Sequence, residues 1–252
     1  LPLLVWSIVR HSPETLTQGH KFQSPPKKSE LKRLQQVCRN RQTWLIALYS
    51  FAIWAPITAF AALWGIPFLV ASYGLTTEAA SIASAMIWLG IGLGSPLMGW
   101  YSDKIGSRSK PLSLSALLGI ISLTIIIYAP PLSLPWLYFT LFTFGLAASG
   151  QSLAFGVVKD NNTSCVVGTA IGFNNMAVVA GGALFQPLIG ILLYVNWSGV
   201  THNGTPFYGI VDYQKAFFVL PLCYVLALLV SQFLLFVTYC KSQYSNESAS
   251  AI

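Results

Sequence analysis

An amide inside an apolar stretch carries hydrogen-bonding capacity that lipid cannot satisfy, so it marks either a helix contact or a place where something polar is received. Four residues of this kind stand out: Gln151, Asn174, Asn175 and Gln186. With Tyr49, Trp54 and Thr58 they make a set of uncharged groups suited to holding a polar solute by hydrogen bonds and aromatic contact, and then releasing it. The same amides suit helix-to-helix hydrogen bonding, and type and spacing leave both roles open. Titratable residues avoid the middle of the apolar stretches: Glu78, Asp103, Asp160, Asp212 and Lys215 all stand at ends. A neutral or zwitterionic solute such as an amino acid, short peptide, nucleoside or sugar fits this pattern better than a multiply charged one. No carboxylate stands at mid-depth in these stretches, so a coupling proton would need one from outside this sequence.

Bond-making chemistry has no sequence support. There is no Gly-x-Ser-x-Gly, no His-Glu-x-x-His and no phosphate-binding glycine loop, and His11, His20 and His202 are scattered. Cys38, Cys165, Cys223 and Cys240 have neither disulfide nor metal spacing. No enzyme, cofactor or metal is expected. Two sequons, at Asn196 and Asn203, are assigned no role.

The elements that position these groups follow from composition. Of 252 residues, 54% are apolar and 8% charged, where soluble domains carry roughly a quarter charged residues. The mean hydropathy is +0.63. So much apolar surface needs lipid as its solvent. Six unbroken stretches are long enough to cross as helices, at about 43–72, 78–101, 111–129, 134–158, 166–196 and 213–239. Residues 1–9 read as the end of a preceding transmembrane helix in a truncated chain. Residues 10–42 read as a basic cytoplasmic linker with a short amphipathic helix at 29–39, and 241–252 as a cytoplasmic tail. With the linker inside, 13 of the 14 Lys and Arg fall on the inner side and only Lys215 lies near an outer end, as the positive-inside rule requires. The formal charge of +7 is therefore topology, and no nucleic-acid partner is expected.

Small and polar residues mark the protein-facing sides of the spans. The first carries Ser50, Trp54, Ile57, Thr58, Ala61 and Gly65 at helical spacing, with Pro56 and Pro67 able to bend it. The fourth offers one packing face, Gly145, Ser149, Ser152 and Gly156, and another side with Thr140, Thr143, Ala147 and Gln151. The fifth aligns Gly168, Gly172, Asn175, Val179, Gly182, Gln186 and Gly190, with Asn174 beside Gly181 on a different side.

One short motif is specific: Gly99-Trp-Tyr-Ser-Asp103-Lys104-Ile-Gly106-Ser107-Arg108-Ser-Lys110, where the second span ends. Gly99 allows close helix approach and Gly106 a tight turn, while Asp103 sits among cations that can donate to it. The motif resembles the signature loop of the major facilitator superfamily, departing from it at Ser107, where that family's pattern has a cation. Six spans after a long basic linker, with this loop between the second and third, resemble the C-terminal half of such a transporter. The resemblance implies an all-helical membrane fold, the second half of a twelve-helix bundle, whose N-terminal six-helix half is the partner. It implies alternating access for a small-molecule substrate in a cell (inner) membrane. Asp103 would brace one half against the other, with Arg108 as its partner and Gly99, Lys104 and Gly106 shaping the loop. The first, second, fourth and fifth spans would line the cavity. The competing reading is a non-transporting receptor or assembly subunit on the same scaffold.

Overall fold

The computed structural model describes residues 30–202 and 204–250, with side chains described to residue 235 except at 202 and 205. The stretch 1–29, read as the end of a helix and most of the linker, lies outside the described residues. Six helices are long and apolar enough to span a membrane: Arg41–Tyr73, Thr77–Ile105, Ser109–Tyr128, Leu134–Asp160, Val167–Val195 and Ile210–Leu235. The fold is the all-helical membrane bundle that the apolar blocks predict. A short helix, Glu30–Arg39, precedes the first span, separated from it by Asn40 alone. Asn40 is extended, and its side chain accepts from the Gln42 N–H, capping the first span. The last helix runs on to Ser250, through residues read as a polar tail, because neither Gly nor Pro interrupts the chain after Pro221. Between the fifth and sixth spans, Thr201–His202 and Thr205–Pro206 form a two-stranded hairpin.

Helices in lipid gain nothing from hiding apolar surface from one another, so close packing at small residues carries the association. The second and fourth spans show this most clearly. A Cβ at Gly90 would overlap the Phe142 carbonyl, one at Gly145 the Ile87 carbonyl, and one at Gly94 would come within 2.7 Å of Ser149 Oγ. The fourth span is broken at Ser149 into Leu134–Ala148 and Gly150–Asp160. There the Ser149 hydroxyl donates to the Leu146 carbonyl at 2.6 Å, a local bond that competes with the helical one.

The first span departs from a plain helix. Pro56 has no N–H to donate to the preceding turn, and from Ile57 to Trp64 the backbone widens into a π-helix. It closes where the Gly65 N–H donates to the Phe60 carbonyl. A Cβ at Gly65 would lie 2.6 Å from that oxygen. The π segment carries Phe60 into an aromatic core with Phe68, Phe144 and Phe217, at centroid distances of 5.8, 5.9 and 5.7 Å. Edge-on contacts of this kind tie the first, fourth and sixth spans together.

Burial is uneven. The first and fourth spans are the most buried, the second and fifth the least. On the second span Leu89, Leu93, Leu97 and Trp100 are exposed, as are Met176 and Val179 on the fifth.

Candidate functional site

Two groups of sequence-selected residues come together. The first is the signature loop. The second span ends at Ile105, and Gly106 caps it with φ +64°, a left-handed conformation that a Cβ resists. The Gly106 N–H donates to the Asp103 carbonyl and the Ser107 N–H to that of Ser102, at 3.2 and 3.3 Å, which closes the turn. The turn directs Arg108 back over the helix end. Its Nη1 donates to Asp103 Oδ1 at 3.5 Å and its Nε to Asp160 Oδ2 at 3.0 Å. Lys104 lies over the Trp100 ring, 5.0 Å from its centroid.

Asp160 ends the fourth span, and sequence reading did not select it for the site. Nothing local signals its role, since it meets Arg108 across 52 residues of chain. One arginine thus holds two carboxylates on two spans. Both pairs are exposed, and surface ion pairs contribute about 0–1 kcal/mol each, so the arrangement orients the loop more than it stabilises the fold. Among the described residues nothing lies within 4 Å of a Cβ at Gly99, so no helix approaches closely there. The start of the first span lies at the same end: Asn40 Nδ2 donates to the Asn161 carbonyl at 3.1 Å, and Asn162 Nδ2 to Thr43 Oγ1 at 3.5 Å.

The second group lies between the first and fifth spans. Gln186 Nε2 donates to the Thr58 carbonyl at 2.9 Å, and Trp64 Nε1 donates to the Gln186 carbonyl at 3.1 Å. Thr58 lies within the π segment and Trp64 ends it, so two hydrogen bonds pin that segment to the fifth span. Close packing supports them, with Gly181 against Ala55, Gly182 against Thr58 and Gly190 against Trp64. Trp54 and Thr58 are half-buried beside this seam, and the Thr58 hydroxyl donates to the Ala55 carbonyl at 3.0 Å.

The remaining candidates are dispersed. The Tyr49 hydroxyl is buried and donates to the Leu112 carbonyl of the third span at 2.9 Å, so its hydrogen bond is made within the bundle. Asn175 is exposed on the open side of the fifth span, while Asn174 is fully buried. The side-chain polar atoms of Asn174, Gln151 and Ser50 have no hydrogen-bond partner among the described residues. At 1.5 Å per residue, all three lie about 10–14 Å from the signature-loop ends of their spans. The three spans pack on one another, so these groups make a polar layer inside the bundle at one depth. Leaving a buried polar group unsatisfied costs about 1–3 kcal/mol, which water or another polar molecule in that layer would recover.

A bundle of spanning helices, free of charge at mid-depth and with an ion-paired turn at one end, defines a polytopic membrane protein of the transporter class. The model of the Major Facilitator Superfamily matches the chain twice, over residues 1–186 and 66–250. The chain belongs to that superfamily and is a membrane transporter. No curated protein matches it in sequence.

Proposed function

We propose that the chain is one six-helix half of a secondary transporter that moves a small, neutral or zwitterionic solute by rocking against a second six-helix half. One observation carries this reading. The second and fifth spans each have glycines in tight contact, Gly90 and Gly94 on one, Gly181 and Gly182 on the other. Each also has bare glycines, Gly92 and Gly99 on one, Gly168 and Gly172 on the other, with nothing within 4 Å of a Cβ. Bare small-residue faces on the two least buried spans are surfaces for further helices to approach closely.

In this reading Trp54, Thr58, Asn175 and Gln186 meet the solute, with Gln151 and Asn174 behind them in the buried polar layer. Tyr49 supports the first span from the rear. The signature-loop end is cytoplasmic, because the cations gather there. Asp103 and Asp160 share Arg108 and set the angle at which the second and fourth spans meet the other half.

The test is uptake by the twelve-helix protein in proteoliposomes, screening amino acids, dipeptides, nucleosides and sugars with and without a proton gradient. Gradient-dependent uptake would make it a symporter, and equilibration without a gradient a facilitator. Absence of uptake for every class would favour the receptor or assembly role. Asp103→Asn keeps shape and removes charge, so transport should fall about tenfold or more while membrane insertion persists. Unchanged kinetics would remove the bracing role.

A further inference from the structure

At the end of the bundle away from the signature loop, the sixth span floors an open cleft of about 550 Å³, walled by Tyr128 of the third span and by Leu192 and Asn196 of the fifth. Lys215 stands in it, exposed. Among the described residues it has no ion pair and no hydrogen bond. Asp212, one turn before it, is buried, and its carboxylate accepts from the Gly209 N–H at 2.9 Å and the Ser198 hydroxyl at 3.4 Å. The other polar groups of the lining are two amides, each with an acceptor oxygen beside its donors, and the Tyr128 hydroxyl, which donates to the Gln214 carbonyl at 3.2 Å. Asn196 Nδ2 and Gln214 Nε2 each give one hydrogen to a carbonyl, of Leu192 and Ile127, and keep another. The cleft therefore offers an ammonium and two amides, with no acid lining it among the described residues.

What lies along the helix decides the class of anion. The sixth span turns at Phe218, between Ile210–Phe217 and Val219–Ser250: Val211, Lys215 and Phe218 share one side of the first piece, and Leu222, Leu229 and Phe233 share one side of the second. The apolar members are all exposed, with Leu222 at 53% and Leu229 at 62%. The first piece thus presents a cation beside Phe218 in the cleft at the headgroup level, and the second an apolar track running into the hydrocarbon. Tyr194 and Trp197 at the same end mark that level. A soluble anion would use the upper part alone, whereas a phospholipid matches both parts.

We propose that this cleft binds an anionic phospholipid, its phosphate on Lys215, Asn196 and Gln214 and an acyl chain along Phe218 and Leu222. None of the residues lining the cleft is among the proposed solute groups, so lipid retention tests the site without reference to transport. The test uses the purified full-length protein in mild detergent, with phosphatidylglycerol or phosphatidylcholine of identical acyl chains, counting retained lipid by native mass spectrometry. Phosphatidylglycerol should be retained in preference. Lys215→Gln should lower its retention about fivefold, as expected for one lost lysine–lipid contact, and leave phosphatidylcholine unchanged. Lys215→Arg should restore the preference, and Phe218→Ala should weaken both lipids. Equal phosphatidylglycerol retention by Lys215→Gln and the parent would overturn the site. Full displacement by millimolar glycerol phosphate would assign it to a soluble phosphate and overturn the lipid.

Discussion

The seam between the second and fourth spans and the seam between the first and fifth are built in opposite ways. In the former, Gly90 and Gly145 face the Phe142 and Ile87 carbonyls directly and Gly94 faces the short Ser149 side chain, with the Ser95 and Ser152 hydroxyls 2.9 Å apart farther along. In the latter, Gly182 and Gly190 face the Thr58 and Trp64 side chains, Gly181 faces Ala55 and the Phe51 carbonyl, and two long-range hydrogen bonds join an amide and an indole to main-chain oxygens beside a π-helical stretch. Backbone set against backbone has no rotamer to change. Side chains set against backbone can re-pair, and a π segment holds its carbonyls in a register that one slipped residue would alter. The contrast teaches that one bundle can hold a fixed pair of helices and an adjustable pair together, and that the adjustable pair contains most of the candidate solute groups.

The largest expected effect tests the fixed pair. Gly145→Ala places a methyl on the Ile87 carbonyl, where no flexible side chain can yield. Stability should fall by about 1–3 kcal/mol, seen as a lower melting temperature in detergent. Gly172→Ala, with open space around it, should melt like the parent. Equal melting of the two variants would show that the seam is not rigid. The next effect concerns the polar layer. Asn174 is buried and both its amide atoms lack partners among the described residues, so Asn174→Leu keeps volume and removes two unsatisfied groups. If the layer is dry, the variant should gain about 1–3 kcal/mol. If it holds water or solute, the variant should gain nothing and lose transport. Melting temperature and uptake, measured on one preparation, separate these outcomes.

Much of the architecture is legible in the chain because the bilayer imposes one simple demand, a run of apolar residues of fixed length. The six blocks and the glycine-aspartate loop therefore lead directly to the fold class and the family. What the sequence does not disclose is pairing across the bundle. Asp160 reads as one more charge at a span end, and its bond to Arg108 exists only once the second and fourth spans lie side by side. The π-helix is equally hidden. Pro56 announces a bend, but the widening to Trp64 depends on how Phe60 enters the aromatic core. The stripe on the fifth span also divides in a way that spacing could not foretell: Gly182 and Gly190 pack on the first span, while Gly168 and Gly172 stay bare. Helical periodicity places residues on one side, and only the crossing of a neighbour decides which of them it covers.

The smallest effect is the most informative about the adjustable pair. Gln186→Ala removes the amide that donates to the Thr58 carbonyl but leaves the main-chain oxygen that accepts from Trp64. Trp64→Phe does the reverse, so each variant cuts one of the two bonds. Interhelical hydrogen bonds in membranes average about 0.6 kcal/mol, and each variant should lower stability by about that much, Trp64→Phe also losing the ring contact with Gly190. If the bonds act separately, the double variant should lose the sum; if they form a single clamp, the second cut should cost less than the first. Solute affinity supplies the other axis. A loss of stability alone assigns Gln186 to holding the helices together, whereas a loss of affinity larger than the loss of stability assigns it to the solute. Asn175→Ala makes the comparison sharper, because that amide is exposed and should change affinity while leaving melting untouched. Should Asn175→Ala instead lower the melting temperature and spare affinity, the open side of the fifth span would be a helix contact and the solute site would lie elsewhere.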